Sequence, residues 1–251
     1  MRNQLTILIL ILASITTIKA QPLRMVSIGI EGGFNVGWCD DADLSNIRKS
    51  GIIDDCGVDW DDDASVTNMY VGVKPEFFIT NQLSVDAGVR FTYTYSEYDK
   101  HYSRYMYWLY SQEGQNTSYI RVRNIEQESY WVGIPVDIRF VPRGLDETSV
   151  YLKAGCALNW RITTHNEVKC YKHDMKHYED DIADQVSKPD NFALPIWLGV
   201  GMQFGPHKAM CIEFTFPYIT EWAQTTSLGE VEPISLGFQF TYRLPTFISN
   251  D

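Results

Sequence analysis

Residues 83–96 alternate without a fault: Leu83, Val85, Ala87, Val89, Phe91, Tyr93 and Tyr95 against Ser84, Asp86, Gly88, Arg90, Thr92, Thr94 and Ser96. A period of two sends successive side chains to opposite faces of an extended strand, so this run has one bulky apolar face and one small or charged face. Strands of soluble domains usually run about five or six residues, whereas a strand that crosses a bilayer needs about nine to eleven. The length of this run points to a membrane.

The same two-sided pattern returns at 25–38, 69–79, 130–140, 150–162, 192–204, 210–218 and 234–242, which makes eight strands. Their connectors alternate in length. Segments 39–66, 97–128 and 163–190 are long and 219–231 is of medium length, while tight turns lie at Asn81–Gln82, 142–147 and 205–208. An even-stranded up-and-down barrel places long loops at one end and tight turns at the other. The expected fold is therefore all-β: an eight-stranded antiparallel transmembrane β-barrel with long extracellular loops and short periplasmic turns.

Residues 1–20 carry Arg2, the apolar block LTILILILASI and the small closing residue Ala20, the pattern of a cleaved secretory signal peptide. The barrel domain is then expected over 21–251, and any crossing of a membrane has to be made by strands. The net charge of −11 is concentrated between strands: 39–66 holds nine Asp against one Arg and one Lys. Such a balance speaks against a nucleic-acid partner, which calls for a basic footprint.

Size decides which face is inside. An eight-stranded barrel has an interior just wide enough for side chains, so the Phe, Tyr, Trp and Leu face belongs against lipid and the Gly, Ser, Thr and Ala face inside. The small face also holds Glu31, Glu76, Asp86, Asp137 and Glu213 against Lys74, Arg90, Arg139, Lys153, Arg161 and Arg243. Enclosed charges must pair, which predicts an ionic network that closes the lumen and disfavours a wide pore. Trp38, Tyr95, Tyr130, Tyr218 and Tyr242 at the strand ends suit two interfacial girdles.

These residues resemble a family. YWVGIPVDIRF at 130–140, YLKAGCALNW at 151–160 and LGVGMQFG at 198–205 are similar to strands of the PorT-like outer-membrane β-barrels of Bacteroidota, and more distantly to the small OmpX and OmpA-type barrels. Ser235, Gly237, Phe240 and Tyr242 match the terminal-strand signal read by the barrel-assembly machinery, although residues 244–251 trail beyond it. The resemblance implies an outer-membrane location, lipid and lipopolysaccharide as surroundings, and no cofactor. One branch of the group is linked to protein secretion and gliding.

Function divides into classes: a structural or surface-interaction protein of the envelope, a PorT-like component of a secretion and gliding machinery, and, behind these, a small pore or an enzyme. Tyr102, Tyr105, Tyr107, Trp108 and Tyr110 form an aromatic cluster, either a recognition patch for protein or glycan or simply strands running past the membrane. Asp59, Asp61, Asp62 and Asp63 offer oxygen ligands but lack the spacing of a calcium-binding EF loop. Cys170, His173 and His177 have metal-ligand spacing only on a helix. No nucleophile stands beside a base in a recognisable motif, so the expectation is a non-enzyme. Cys39 and Cys56 are a candidate disulfide, whereas Cys156 and Cys211 are expected as buried free thiols.

Overall fold

The computed structural model describes residues 24–40, 52–53, 64–80, 82–99, 107–113, 116–142, 150–171, 173–184, 186–205, 209–219, 225–228, 230–231 and 235–245. The expected signal peptide, Cys56, Tyr102, Tyr105 and the Asp59–Asp63 run lie outside them, as does the side chain of Cys39 and with it the candidate disulfide.

Among the described residues thirteen strands run in chain order: β1 (Arg24–Asp40), β2 (Ile52–Ile53), β3 (Ala64–Phe78), β4 (Leu83–Ala87), β5 (Val89–Asp99), β6 (Tyr107–Glu113), β7 (Asn116–Phe140), β8 (Val150–Cys170), β9 (Phe192–Ala193), β10 (Ile196–Phe204), β11 (Met210–Ile219), β12 (Glu230–Val231) and β13 (Leu236–Pro245). Every pairing is antiparallel, and β1 pairs with both β3 and β13, so the sheet closes as β1, β3, β4 with β5, β7, β8, β10, β11, β13. That ring is the expected eight-stranded barrel. The 83–96 run is one stave interrupted at Gly88, whose N–H bonds the carbonyl of Pro135 at 3.2 Å while proline has no N–H to return.

The faces fall as the alternation demands. Val89 is 60% exposed and Ile162 58%, whereas Asp137 and Arg139 are fully buried, the reverse of a water-soluble domain. Along β7 the outward positions Tyr130, Val132, Ile134, Val136, Ile138 and Phe140 form the apolar band. Ten residue steps at ~3.4 Å, tilted by ~40°, span roughly 26 Å, which matches an outer-membrane-type apolar band of about 25 Å. Trp38 and Trp160 lie outward toward one end of the band and Tyr242 and Phe140 toward the other. The side chain of Tyr218 is outside the described residues. Among the described residues no helix is long and apolar enough to cross a membrane.

The long connectors differ from the expectation. Much of 97–128 is strand, because β5 continues to Asp99 and β7 starts at Asn116, with β6 folding back on it. Likewise β8 runs to Cys170, followed by a 3-10 turn (His173–Tyr178) and a short helix α1 (Glu179–Ala183). Past the band the polarity inverts. Glu126, Glu128, His165 and Glu167 lie outward, while Val122, Ile125 and Val168 are buried with Val66, Tyr98, Ile182, Val186 and Leu228. The barrel thus carries a head with its own apolar core.

Candidate functional site

The lumen is built from inward positions of all eight staves, seven of which place charged side chains there. Among the described residues the buried charges are Glu31, Glu76, Asp86, Asp137 and Glu213 with Lys74, Arg90, Arg139, Lys153 and Arg243. Lys74 Nζ lies 2.6 Å from Glu31 Oε2 and also pairs with Asp137, while Arg90 Nε donates to Glu31 Oε1 at 2.8 Å. Lys153 pairs with Glu213 and stands 4.0 Å from Asp137. Arg139 pairs with Glu76, whose second oxygen is 3.4 Å from Arg243 Nε.

Neutral groups complete these contacts. Trp197 Nε1 donates to Asp137 at 2.8 Å, the Tyr151 hydroxyl to Glu213 at 2.6 Å and the Ser27 hydroxyl to Glu76 at 3.0 Å. The Arg90 guanidinium lies 4.1 Å over the Tyr70 ring and 4.9 Å from that of Trp197. Among the buried lumen carboxylates, Asp86 is the one with an oxygen, Oδ1, that has neither a hydrogen-bond partner nor an ion pair.

Arg161 corrects the expectation. It is not part of the ionic network: its guanidinium donates to the Pro189 carbonyl at 2.5 Å and to Asn191 Oδ1 at 2.6 Å. The register keeps Arg161 in phase with the inward Trp131, and the extra residue of β8 comes after it, since Tyr130 pairs with Thr163; Arg161 stands apart because its acceptors are supplied by 189–191 rather than by a lumen carboxylate. The thiols differ in part as well. Cys211 is a buried free thiol inside, whereas Cys156 is free but only half-buried on the outward face.

A second layer closes the head, and sequence reasoning missed it. Gln127 is fully buried and its Nε2 donates to Asn166 Oδ1 at 2.9 Å, the Ser187 carbonyl at 3.0 Å and Ser227 Oγ at 2.8 Å. Its Oε1 accepts from the Ser227 N–H at 2.9 Å and from the Thr226 hydroxyl at 3.1 Å. Ser96 Oγ joins Thr226 Oγ1 at 2.7 Å, and Asn166 Nδ2 donates to the Val186 carbonyl at 3.0 Å. Residues 186–187 and 226–227 are thereby tied into the mouth of the barrel.

Other candidate residues are placed as follows. Tyr107, Trp108 and Tyr110 lie on β6, in register with Val122, Arg121 and Tyr119 of β7, so the aromatic cluster is at least in part a hairpin extending past the membrane. Ser235, Gly237, Phe240 and Tyr242 alternate at the start of and along β13, with Ser235 buried and Phe240 and Tyr242 facing out. His173 and His177 sit on the 3-10 turn, and the described residues contain no group of three or more His, Cys, Asp or Glu able to hold a metal. Cys170 is half-buried at the end of β8, where burial first and the Glu179 carboxylate second push its thiol up to about 11.

No protein-family profile matches the chain, and no curated protein sequence matches it. Among solved structures it is similar to Neisserial surface protein A, at 10% identity over 90% of this chain and 100% of that one with a TM-score of 0.35. It is similar to the outer membrane protein OprG from Pseudomonas aeruginosa, at 12% identity over 89% and 98% of the two chains with a TM-score of 0.38. Ail, the attachment invasion locus protein of Yersinia pestis, gives 12% identity over 88% and 100% with a TM-score of 0.30. The fold assignment stands on the closed ring of strands rather than on these likenesses.

Proposed function

We propose that the chain is an integral outer-membrane barrel, closed along its axis, with a structural or surface-interaction role in the envelope exerted through its head. The observation that carries this reading is the continuation of β7 and β8 beyond the apolar band as paired sheet around a buried core. A barrel that served as a pore would be weakened by such filling, whereas a rigid platform for partners needs it. Lipid and lipopolysaccharide surround the band in this reading, the barrel-assembly machinery inserts the chain, and β6 with Trp108 presents a surface to a protein or glycan outside. No catalytic step is assigned.

In-cell photo-crosslinking tests it, with the crosslinker placed at Trp108 and, separately, at Gln82 in the opposite, tight-turn end. Capture of lipopolysaccharide, glycan or a foreign surface protein at Trp108 is the expected result. Capture confined to Gln82, of periplasmic secretion components, would replace this reading with the PorT-like secretion role implied by the resemblance of 130–140.

A further inference from the structure

The two pieces of chain that meet in the mouth of the barrel are held in different ways. Residues 182–186 make backbone bonds of their own, the Val186 N–H donating to the Ile182 carbonyl at 3.2 Å. Residues 225–228, Thr-Thr-Ser-Leu, belong to no strand or helix and have no backbone–backbone hydrogen bond among the described residues. All four are nevertheless buried.

Side chains on paired strands hold them instead. Gln127 Oε1 accepts from the Ser227 N–H at 2.9 Å and from the Thr226 hydroxyl at 3.1 Å, and Ser96 Oγ joins Thr226 Oγ1 at 2.7 Å. Leu228 is fully buried in the apolar core with Val66 of β3, Tyr98 of β5, Ile125 of β7 and Val168 of β8. These holders do not depend on what they hold, because Ser96 is the register partner of Gln127 and Gln127 that of Asn166, so ladder bonds keep them in place. The fit is also incomplete. The Thr225 hydroxyl is 2% exposed and has no partner, which costs stability in the seated state.

A polar clamp that reads one backbone N–H and one hydroxyl, beside a pocket that takes a single apolar side chain, is the layout of a peptide-recognition cleft. We propose that residues 225–228 are a displaceable strap, the chain's own occupant of a cleft that takes a like segment of a partner protein: a Thr or Ser for Ser96 and Gln127, then a small residue offering its N–H, then a leucine-type side chain. The inference rests on the reading of the head as the working surface and gives that surface a ligand class. Local opening of a segment held by side chains alone makes the exchange possible. A tethered segment competes at an effective concentration on the order of millimolar, so the strap hides the cleft from dilute peptide.

The full chain in detergent micelles is titrated with a fluorescent peptide of the strap's own sequence, residues 224–229, and binding is followed by anisotropy. Thr226→Gly with Leu228→Gly weakens the strap and leaves every group that holds it. That variant should bind the peptide at least tenfold more tightly than the unaltered chain, adding Gln127→Leu should remove the gain, and a peptide with aspartate in place of its leucine should not bind. Heat-modifiable gel mobility shows that the barrel is intact in each. Thr225→Cys, which removes a hydroxyl without a partner, provides the second measurement: maleimide labelling at that position, read by mass spectrometry, should rise at least fivefold when millimolar peptide displaces the strap. Equal peptide affinity with and without the strap substitutions overturns the proposal, as does equal binding of the aspartate peptide. If the double variant fails to fold, labelling that ignores the peptide overturns it alone. Crosslinking from Trp108 reports on the head separately, so capture there beside a silent peptide titration removes the cleft and leaves the role of the head standing.

Discussion

Replacing Gln127 by Leu should release the head cap without opening the barrel. Five hydrogen bonds converge on this side chain, but their partners are not equally dependent on it. Ser227 Oγ keeps the Ser187 carbonyl at 2.6 Å, and Thr226 Oγ1 keeps Ser96 at 2.7 Å. The groups left bare are Asn166 Oδ1 and the Ser227 N–H. Each buried orphan costs about 1–3 kcal/mol, and a leucine recovers little in so polar a setting, so the cap should lose roughly 3 kcal/mol. At 1.4 kcal/mol per factor of ten, amides of 186–187 and 225–228 should exchange with deuterium about 100-fold faster through local opening. Hydrogen exchange read by mass spectrometry measures this directly, with β10 and β11 as internal reference. A cap that accelerates less than about threefold, or staves that accelerate equally with it, would refute the reasoning, since either outcome denies that Gln127 secures a separate unit.

The lumen makes a larger demand on stability. Glu213→Gln strips Lys153 of its close carboxylate and leaves Asp137 at 4.0 Å, so unfolding in denaturant should be easier by roughly 3–5 kcal/mol, and adding Lys153→Met should recover part of that loss. Gly237→Ala places a methyl 1.8 Å from Asn35 Oδ1 and 2.1 Å from Thr215 Oγ1, and heat-modifiable barrel should be lost. Asn35→Ala in the same chain should restore it in part if packing rather than recognition by the assembly machinery is what requires glycine. The Cys170 thiol, raised from 9.0 to about 11, should react with a maleimide half-maximally near pH 11, and because the folded state disfavours the thiolate, stability should decline as pH rises through that window. Glu179→Gln should bring the profile back toward the ordinary range.

Legibility stopped where polarity inverts. Within the band the staves have apolar residues outside and small or charged residues inside, joined there by the buried aromatics Tyr70, Trp131, Tyr151 and Trp197, so one alternating pattern marks strand, face and lumen charge at once. Past Tyr130 the same strand continues with Glu128 and Glu126 outside and Ile125 and Val122 inside, which is the pattern of a sheet in water. Acidic, aromatic-interrupted sequence of that kind reads as loop. The isolated apolar residues Val122, Ile125 and Val168, each flanked by charged or polar neighbours, were the available signal of a second core. Arg161 failed for a smaller reason: it keeps the inward phase as the partner of Trp131, but its acceptors come from 189–191, far along the chain and invisible to a strand-by-strand reading.

The displacement of Arg161 also resolves the count of lumen charges. Six bases against five acids would leave one cation buried without a counter-charge, which is expensive in any dry interior. With Arg161 turned onto the carbonyl of Pro189, five of each remain inside, and the acidity of the chain lies elsewhere. The pairs do more than neutralise. Lys74 on β3 reaches Asp137 on β7 across the β4 and β5 stave, Lys153 on β8 reaches Glu213 on β11 across β10, and Glu76 on β3 holds both Arg139 on β7 and Arg243 on β13. Because partners sit on staves that are not hydrogen-bonded neighbours, the attractions brace the barrel across its interior, where ladder bonds cannot act. A stave that slipped by one residue would turn its charge toward lipid and strand the partner opposite, so the ionic lattice penalises misregister at every such stave.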